Sequence, residues 1–103
     1  MKVKIPQYAK NVAKRNLSLR ASLPKYKKFG LTRLEAKRKS VGSGVEMARM
    51  LIRNKYISLV DAKRVISFYN RFRDFKTPKS EGAIGLWGGR KFAIYLNSII
   101  KRI

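Results

Sequence analysis

The sequence predicts an all-α protein: a single small domain of four to five short helices with a basic, partly extended N-terminal region. Three observations support this fold class. The 103 residues suit one domain. Hydrophobic residues make up 45% of the chain, which is enough for a modest core. Apolar runs with helical periodicity follow recognisable helix-start signals, and no segment alternates like a strand over a useful length.

Three helix starts share the spacing of a capping box, in which a hydroxyl accepts a backbone N–H and an acid three residues later reaches back to another. They are Thr32/Glu35, Ser43/Glu46 and Ser58/Asp61, the last with the looser fit of aspartate. Each opens an amphipathic run. We therefore predict helices over 33–40, 44–53 and 59–75.

The two ends of the chain are also predicted to be helical. Residues 6–22 form an amphipathic helix that starts at Pro6 and ends before Pro24, with one apolar stripe. Its members are Ile5, Tyr8, Val12, Leu19 and Leu23. A basic–aromatic loop follows over 24–30. Residues 54–57 are predicted to be a turn, and 77–80 a loop in which Ser80 caps the next segment, 81–102, whose C-terminal half is helical.

The longest predicted helix has an aromatic side that we interpret as core. Five apolar residues recur on it at helical spacing. They are Val65, Phe68, Tyr69, Phe72 and Phe75. Such a stripe is more typical of packing than of a ligand site.

Charge is the strongest functional signal. Lys and Arg number 26 against five acids, a net charge of +21. A small domain with this charge repels itself unless a polyanion neutralises it. Residues 1–40, the basic helix and loop region, carry +12, whereas residues 41–103, the helical core, carry +9. Nucleic acid is the expected partner; an anionic membrane surface and charge for solubility are the alternatives considered.

We predict that binding is non-specific and made through phosphates, because the helix over 59–75 opens with Leu59 and Val60 rather than base-reading polar residues. The charge does not separate DNA from RNA, and we favour DNA. The predicted binding residues are Lys10, Lys14, Arg15, Arg20, Lys25, Lys27, Lys28, Lys37, Arg38, Lys39, Arg90 and Lys91.

Two strings allow both a functional and a packing interpretation. Residues 85–91, Gly-Leu-Trp-Gly-Gly-Arg-Lys, could form an anion-binding nest, or the glycines could let Trp87 pack and the chain turn; we favour packing. The aromatics of Tyr26-Lys27-Lys28-Phe29 could stack on unpaired bases or anchor the loop to the core, and we favour anchoring.

Catalysis is not expected. The chain has no Cys and no His, so disulfides, thiolate metal sites and the commonest general base are excluded. Three of the five acids belong to capping boxes, which leaves Asp74 and Glu81, too few for a confident metal site. We predict no cofactor, no metal and no small-molecule substrate. No signal peptide or membrane-spanning run is evident, so we expect no membrane partner.

Several strings resemble a small helical module recurrent in tailed-bacteriophage proteins, found alone or attached to head-assembly proteins, including prohead-protease-like chains. They are residues 5–10 (IPQYAK), 40–49 (SVGSGVEMAR), 57–59 (ISL), 65–69 (VISFY) and 82–93 (GAIGLWGGRKFA). The chain departs from that pattern at Phe72, where the family tends to have His, and at Arg90, which replaces an acidic insertion after Gly-Gly. The resemblance implies a helical fold and a phage context.

The functional expectation is therefore a phage-encoded accessory or virion protein that binds nucleic acid, with a position inside the head between shell and genome. It would be found in the virion, or in the host cytoplasm during assembly. One alternative is a ribosomal or ribonucleoprotein component, which shares the size and charge. Another is a capsid-associated structural protein that acts mainly through contacts with phage head proteins.

Overall fold

Six α-helices dominate the structure, a computed structural model that describes residues 2–39 and 42–101. This confirms the predicted all-α class. The helices are α1 (Gln7–Ser22), α2 (Arg33–Lys39), α3 (Gly44–Arg53), α4 (Leu59–Phe72), α5 (Pro78–Leu86) and α6 (Arg90–Lys101), and a 3-10 turn spans Lys25–Lys27. The predicted division after residue 40 lies outside the described residues, as do Ser40 and Val41 of the phage-like string.

The serine or threonine half of all three predicted capping boxes is confirmed, but the return hydrogen bond from the acid forms only at Thr32/Glu35, since Glu46 and Asp61 pair with Arg49 and Arg64 instead. Thr32 and Glu35 form a reciprocal box: the Thr32 N–H donates to the Glu35 carboxylate (3.0 Å) and the Glu35 N–H donates to the Thr32 hydroxyl (3.3 Å). Ser43 and Ser58 each accept the backbone N–H three residues on. Helix α3 accordingly begins and ends where the sequence predicts, whereas α4 ends at Phe72 rather than at residue 75.

The start of α5 differs from the prediction that Ser80 is its N-cap. The N-cap is Thr77, whose hydroxyl accepts the Ser80 N–H (3.2 Å), while the Ser80 hydroxyl accepts the Thr77 N–H (3.1 Å). Pro78 occupies the first helical position, where a missing N–H costs nothing. Residues 77–80 are thus a helix start rather than a loop, and the segment 81–102 is two helices separated by Trp87–Gly89.

A small antiparallel sheet was not predicted. Strands β1 (Lys2–Lys4) and β2 (Tyr56–Ser58) pair with Val3 opposite Ile57. Both of these side chains are buried, and their neighbours are exposed. Residues 56–57, predicted as part of a turn, are therefore strand. Three residues of alternation are too few to detect, and the pairing joins segments more than 50 residues apart.

The core forms where α1 packs on α3 and α5 and where α4 packs on α6. Its largest fully buried side chains are Leu51, Ile57, Val65, Leu86, Phe92 and Leu96. Helix α1 contributes mainly Ala9 and Ala13, both fully buried, whereas Leu19 of the predicted stripe is 48% exposed. Small side chains let α1 approach two helices closely, so its contact face differs from the one its large residues predict. No helix in the described part of the chain is both long and apolar enough to cross a membrane.

Candidate nucleic-acid interface

The twelve predicted binding residues fall into two groups. The charged groups of five contact other parts of the protein: Lys10, Arg20, Lys28, Arg90 and Lys91. The other seven are exposed and form no ion pair with a described residue. We call these seven the N-terminal cationic surface; its members are Lys14, Arg15, Lys25, Lys27, Lys37, Arg38 and Lys39.

Lys10 holds the C-terminal end of α3. Its ammonium donates to the backbone carbonyls of Leu51 (3.1 Å), Ile52 (3.3 Å) and Asn54. The last carbonyls of a helix lack helical partners and carry the negative end of the helix dipole, so a cation is favourable there. The Lys10 ammonium is therefore bound to carbonyls of the protein itself rather than exposed for a ligand.

Arg20 and Lys28 tie the end of α1 to the next two elements. The Arg20 side chain donates to the Phe29 carbonyl (2.7 Å) and lies 3.7 Å from the Glu35 carboxylate on α2. Lys28 donates to the carbonyls of Arg20 (2.7 Å) and Ala21 (3.4 Å), the last turn of α1. These contacts bring α1, the 3-10 turn and α2 together.

Glu35 is the only acid among residues 1–40, and it is already engaged. The hydrogen bond from the Thr32 backbone N–H, helped by the Thr32 hydroxyl, lowers the pKa of the Glu35 carboxyl; Arg20 and Lys39 add a smaller electrostatic attraction. Glu35 therefore stays ionised, and its single negative charge is set against seven exposed cations.

Arg90 joins three elements. Its guanidinium pairs with Glu81 of α5, donates to the Arg73 carbonyl after α4 (2.8 Å) and lies 5.8 Å from the centre of the Tyr69 ring. The hydrogen bond with Glu81 raises the pKa of Arg90 and lowers that of Glu81. The Lys91 ammonium lies 4.5 Å from the centre of the Tyr8 ring, a cation–π contact.

The Trp87–Gly89 part of the glycine-rich string 85–91 packs and turns the chain, as the favoured interpretation predicts. Trp87 is 5% exposed, and Gly88 and Gly89 turn the chain from α5 to α6 with φ of 100° and 92°. Other residues rarely adopt such angles. Because the Arg90 charge is paired with Glu81, this string offers less free positive charge than its sequence suggests; Lys91, which contacts the Tyr8 ring, stays exposed.

The N-terminal cationic surface lies on α1, the 3-10 turn and α2; Arg20 of α1 contacts Phe29, which follows the turn, and Glu35 of α2. Lys14 and Arg15 precede Arg20 by five to six residues, about 7.5–9 Å along the helix axis and about 120–140° around it, so they project from other sides of α1 than Arg20. The 3-10 turn carries Lys25 and Lys27. The last turn of α2 carries the remaining three.

The aromatics of the basic loop divide between the two interpretations. Phe29 is buried and anchors the loop to the core, as predicted. Tyr26 is 72% exposed, with the Lys27 ammonium 5.8 Å from its ring centre, so it anchors nothing in the described core. The anchoring prediction is right for Phe29 and wrong for Tyr26.

An aromatic cleft lies apart from most of the predicted residues. It has a volume of about 420 Å³ and lies between the end of α4, the start of α5 and the loop before α2. Its lining includes Phe68, Phe72, Phe75, Trp87, Lys28, Arg71 and Lys79. Sequence reasoning assigned the phenylalanines to the core. Arg71 and Lys79, which lie near these phenylalanines in the sequence, together with the end of the apolar pattern at Phe75, were the available signal.

Nothing in residues 2–39 and 42–101 brings three metal-binding side chains of the His, Cys, Asp or Glu type together.

Comparison of the sequence with protein-family models, curated proteins and solved structures finds no match.

Proposed function

We propose that this protein binds nucleic acid non-specifically, through contacts of its N-terminal cationic surface with phosphates. The observation that carries the proposal is the set of seven exposed Lys and Arg side chains, without ion-pair partners among the described residues, on three adjoining elements. Glu35, the one acid in the sequence of these three elements, is already hydrogen-bonded.

Phosphate binding explains why such a charge is tolerated. Lys and Arg that contact phosphates release the counterions condensed on nucleic acid, and this release drives binding at low salt regardless of sequence. The self-repulsion of a +21 domain is relieved at the same time. DNA is the partner we favour.

The context we propose is a phage-encoded accessory or virion protein, with a position inside the head between shell and genome. The resemblance of the 40–49 and 82–93 strings to the phage module supports this context, and the charge suits a protein beside packaged DNA. Head proteins are the second class of partner proposed. Mass spectrometry of purified virions and of ribosomal fractions tests the context directly.

Salt dependence and a matched pair of variants test the binding surface. Because the slope of log K against log salt is about −0.9 per phosphate contact on duplex DNA, seven contacts predict a slope of about −6. Replacing Lys14, Lys25 and Lys27 by Glu should weaken duplex binding on the order of tenfold or more and make the slope shallower by roughly three. Fluorescence anisotropy over a salt series measures both.

The matched variant replaces Lys55, Lys63 and Lys101, which are equally exposed, by Glu. Both variants fall from +21 to +15, so a difference between them reports location rather than net charge. Circular dichroism confirms that each keeps its helices. Equal losses of affinity would show that binding follows net charge alone, and a flat salt dependence would refute phosphate binding.

A further inference from the structure

The aromatic cleft contains a ladder of four rings. Trp87 and Phe68 are stacked, with centres 4.6 Å apart and planes 11° apart. Phe68 contacts Phe72 at 4.6 Å, and Phe72 contacts Phe75 at 6.1 Å. The ladder runs from the core to the surface, since Trp87 is 5% exposed and Phe75 is 56% exposed. Its outer end is an aromatic side chain open to solvent.

Phe75 is exposed on a backbone that is held on both sides. Its N–H donates to the Phe72 carbonyl (3.0 Å), and its carbonyl accepts the Ser80 hydroxyl (2.7 Å). Ser80 is itself buried and locked in the capping box of α5. The exposed ring is therefore presented at a defined place, and binding to it would cost little backbone ordering.

The rim of the cleft is cationic. Lys28, Arg71 and Lys79 line it, and no carboxylate is among its described lining residues. The Arg71 guanidinium lies 5.9 Å from the centre of the Phe68 ring and 5.8 Å from that of Phe72, so positive charge and aromatic surface are adjacent. The acid nearest to Phe75 in sequence, Asp74, is not part of the lining.

We propose that the aromatic cleft takes an unpaired base of a single-stranded nucleic acid, with Phe75 as the stacking surface and Arg71 and Lys79 as phosphate contacts. The inference rests on the proposed nucleic-acid binding but assigns a different part of the molecule. Proteins that bind single strands combine aromatic platforms with a cationic path in this way, and every base offers a flat face to stack.

Charge complementarity favours this occupant over an apolar side chain of a protein partner. An apolar side chain would use the rings but would leave the rim cations Arg71 and Lys79 without a counter-charge. A nucleotide carries a planar ring and a phosphate within one unit, so it satisfies both. A base paired within a duplex cannot insert, so the cleft distinguishes single strands from duplexes.

The test compares Phe75→Ala with Ile94→Ala, which removes a side chain of similar exposure (58%) from α6, outside the cleft. Each variant and the unchanged protein are titrated with a mixed-sequence 20-nucleotide single strand and with the matching duplex. Stacking on one aromatic residue predicts that Phe75→Ala weakens single-strand binding at least about fivefold and leaves duplex binding unchanged. Ile94→Ala should change neither.

A single strand containing 2-aminopurine gives a direct signal, because stacking quenches this base. Quenching on binding to the unchanged protein, and its loss in Phe75→Ala, is expected. The inference is overturned if Phe75→Ala binds single strands as tightly as the unchanged protein, as it would if the cleft takes a protein side chain, or if both variants lose affinity equally. A different result would refute the proposed nucleic-acid binding itself: the unchanged protein would then bind neither the single strand nor the duplex at low salt.

Discussion

The basic segment 25–39 and the glycine-rich segment 85–91 both place cations beside aromatic residues, but they use those cations differently. In the first, Lys25 and Lys27 on the 3-10 turn and the last three residues of α2 point charge at solvent. In the second, Arg90 joins α5 to the end of α4, and Lys91 lies over a tyrosine ring. The same residue types therefore make a solvent-exposed cationic surface in one segment and connect helices in the other.

The difference depends on what each segment packs against. Segment 85–91 adjoins four helices, so its guanidinium finds a carboxylate and a free carbonyl within reach. Segment 25–39 touches the rest of the molecule through buried Phe29 and Ala36 and through hydrogen bonds at Lys28 and Leu31. No described residue forms an ion pair with its exposed cations, Lys25, Lys27, Lys37, Arg38 and Lys39. Charge is available to a ligand only where the fold provides no internal partner.

Gly88→Ala should produce the largest effect on stability. The residue has a φ of 100°, and an added Cβ would overlap the buried Phe92 ring. Strain and overpacking together predict a loss of about 2 kcal/mol or more in the free energy of unfolding. Lys37→Ala, in the basic segment, should stay within about 0.5 kcal/mol. Urea denaturation measures both, and a Gly88→Ala protein of unchanged stability would show that the turn needs no glycine.

Two adjacent lysines have different roles: Lys27 is exposed to solvent, whereas Lys28 connects the basic segment to α1. Lys28 hydrogen-bonds the last carbonyls of α1, so Lys28→Ala should lower the free energy of unfolding by roughly 0.5–1.5 kcal/mol. Lys27→Ala should leave stability unchanged and lower nucleic-acid affinity. If Lys27→Ala instead unfolds more easily than Lys28→Ala, Lys27 rather than Lys28 is the residue that stabilises the fold, and the roles assigned to them are wrong.

Local signals were the ones that sequence reasoning interpreted correctly. Helix α3 starts at a serine cap and ends at Arg53, as predicted, because capping and periodicity act within a few residues. The start of α5 is the exception: the predicted N-cap, Ser80, is wrong, because Thr77 is the N-cap and Ser80 is its reciprocal partner three residues later.

Contacts between residues far apart in the sequence determine the features that the sequence did not predict. Lys10 binds carbonyls more than 40 residues away, and β1 pairs with a strand more than 50 residues away. No periodicity contains that information. Phe75 shows a subtler limit: it follows the helical spacing of Phe68 and Phe72, but α4 ends at Phe72, so the next ring leaves the core side and reaches the surface.

The smallest predicted effect concerns two carboxyl groups with lowered pKa values, one in contact with each segment. Glu35 belongs to segment 25–39, and Glu81 is bound by Arg90 of segment 85–91. At Glu35 the main cause is a hydrogen bond from the uncharged Thr32 backbone N–H, whereas at Glu81 it is the hydrogen bond from the charged Arg90 side chain. A lowered pKa contributes stability above the ordinary value of about 4.3, and this is lost as pH falls through the folded-state pKa.

Acidification from pH 5 to pH 3 should therefore weaken both contacts, and salt should distinguish them. At 1 M salt the screening length is about 3 Å, which reduces attraction between exposed charges more than a hydrogen bond to a neutral group. The pKa of Glu81 should then rise toward its ordinary value more than that of Glu35, as measured by NMR titration of the carboxyl carbons. Arg90→Gln should remove most of the lowering of the Glu81 pKa, since only the weaker attraction of Lys76 remains, and should leave the pKa of Glu35 unchanged. Equal responses to salt would mean that Arg20 and Lys39, rather than the Thr32 N–H, dominate at Glu35, so its ionisation would then depend on the surrounding cations instead of the capping box.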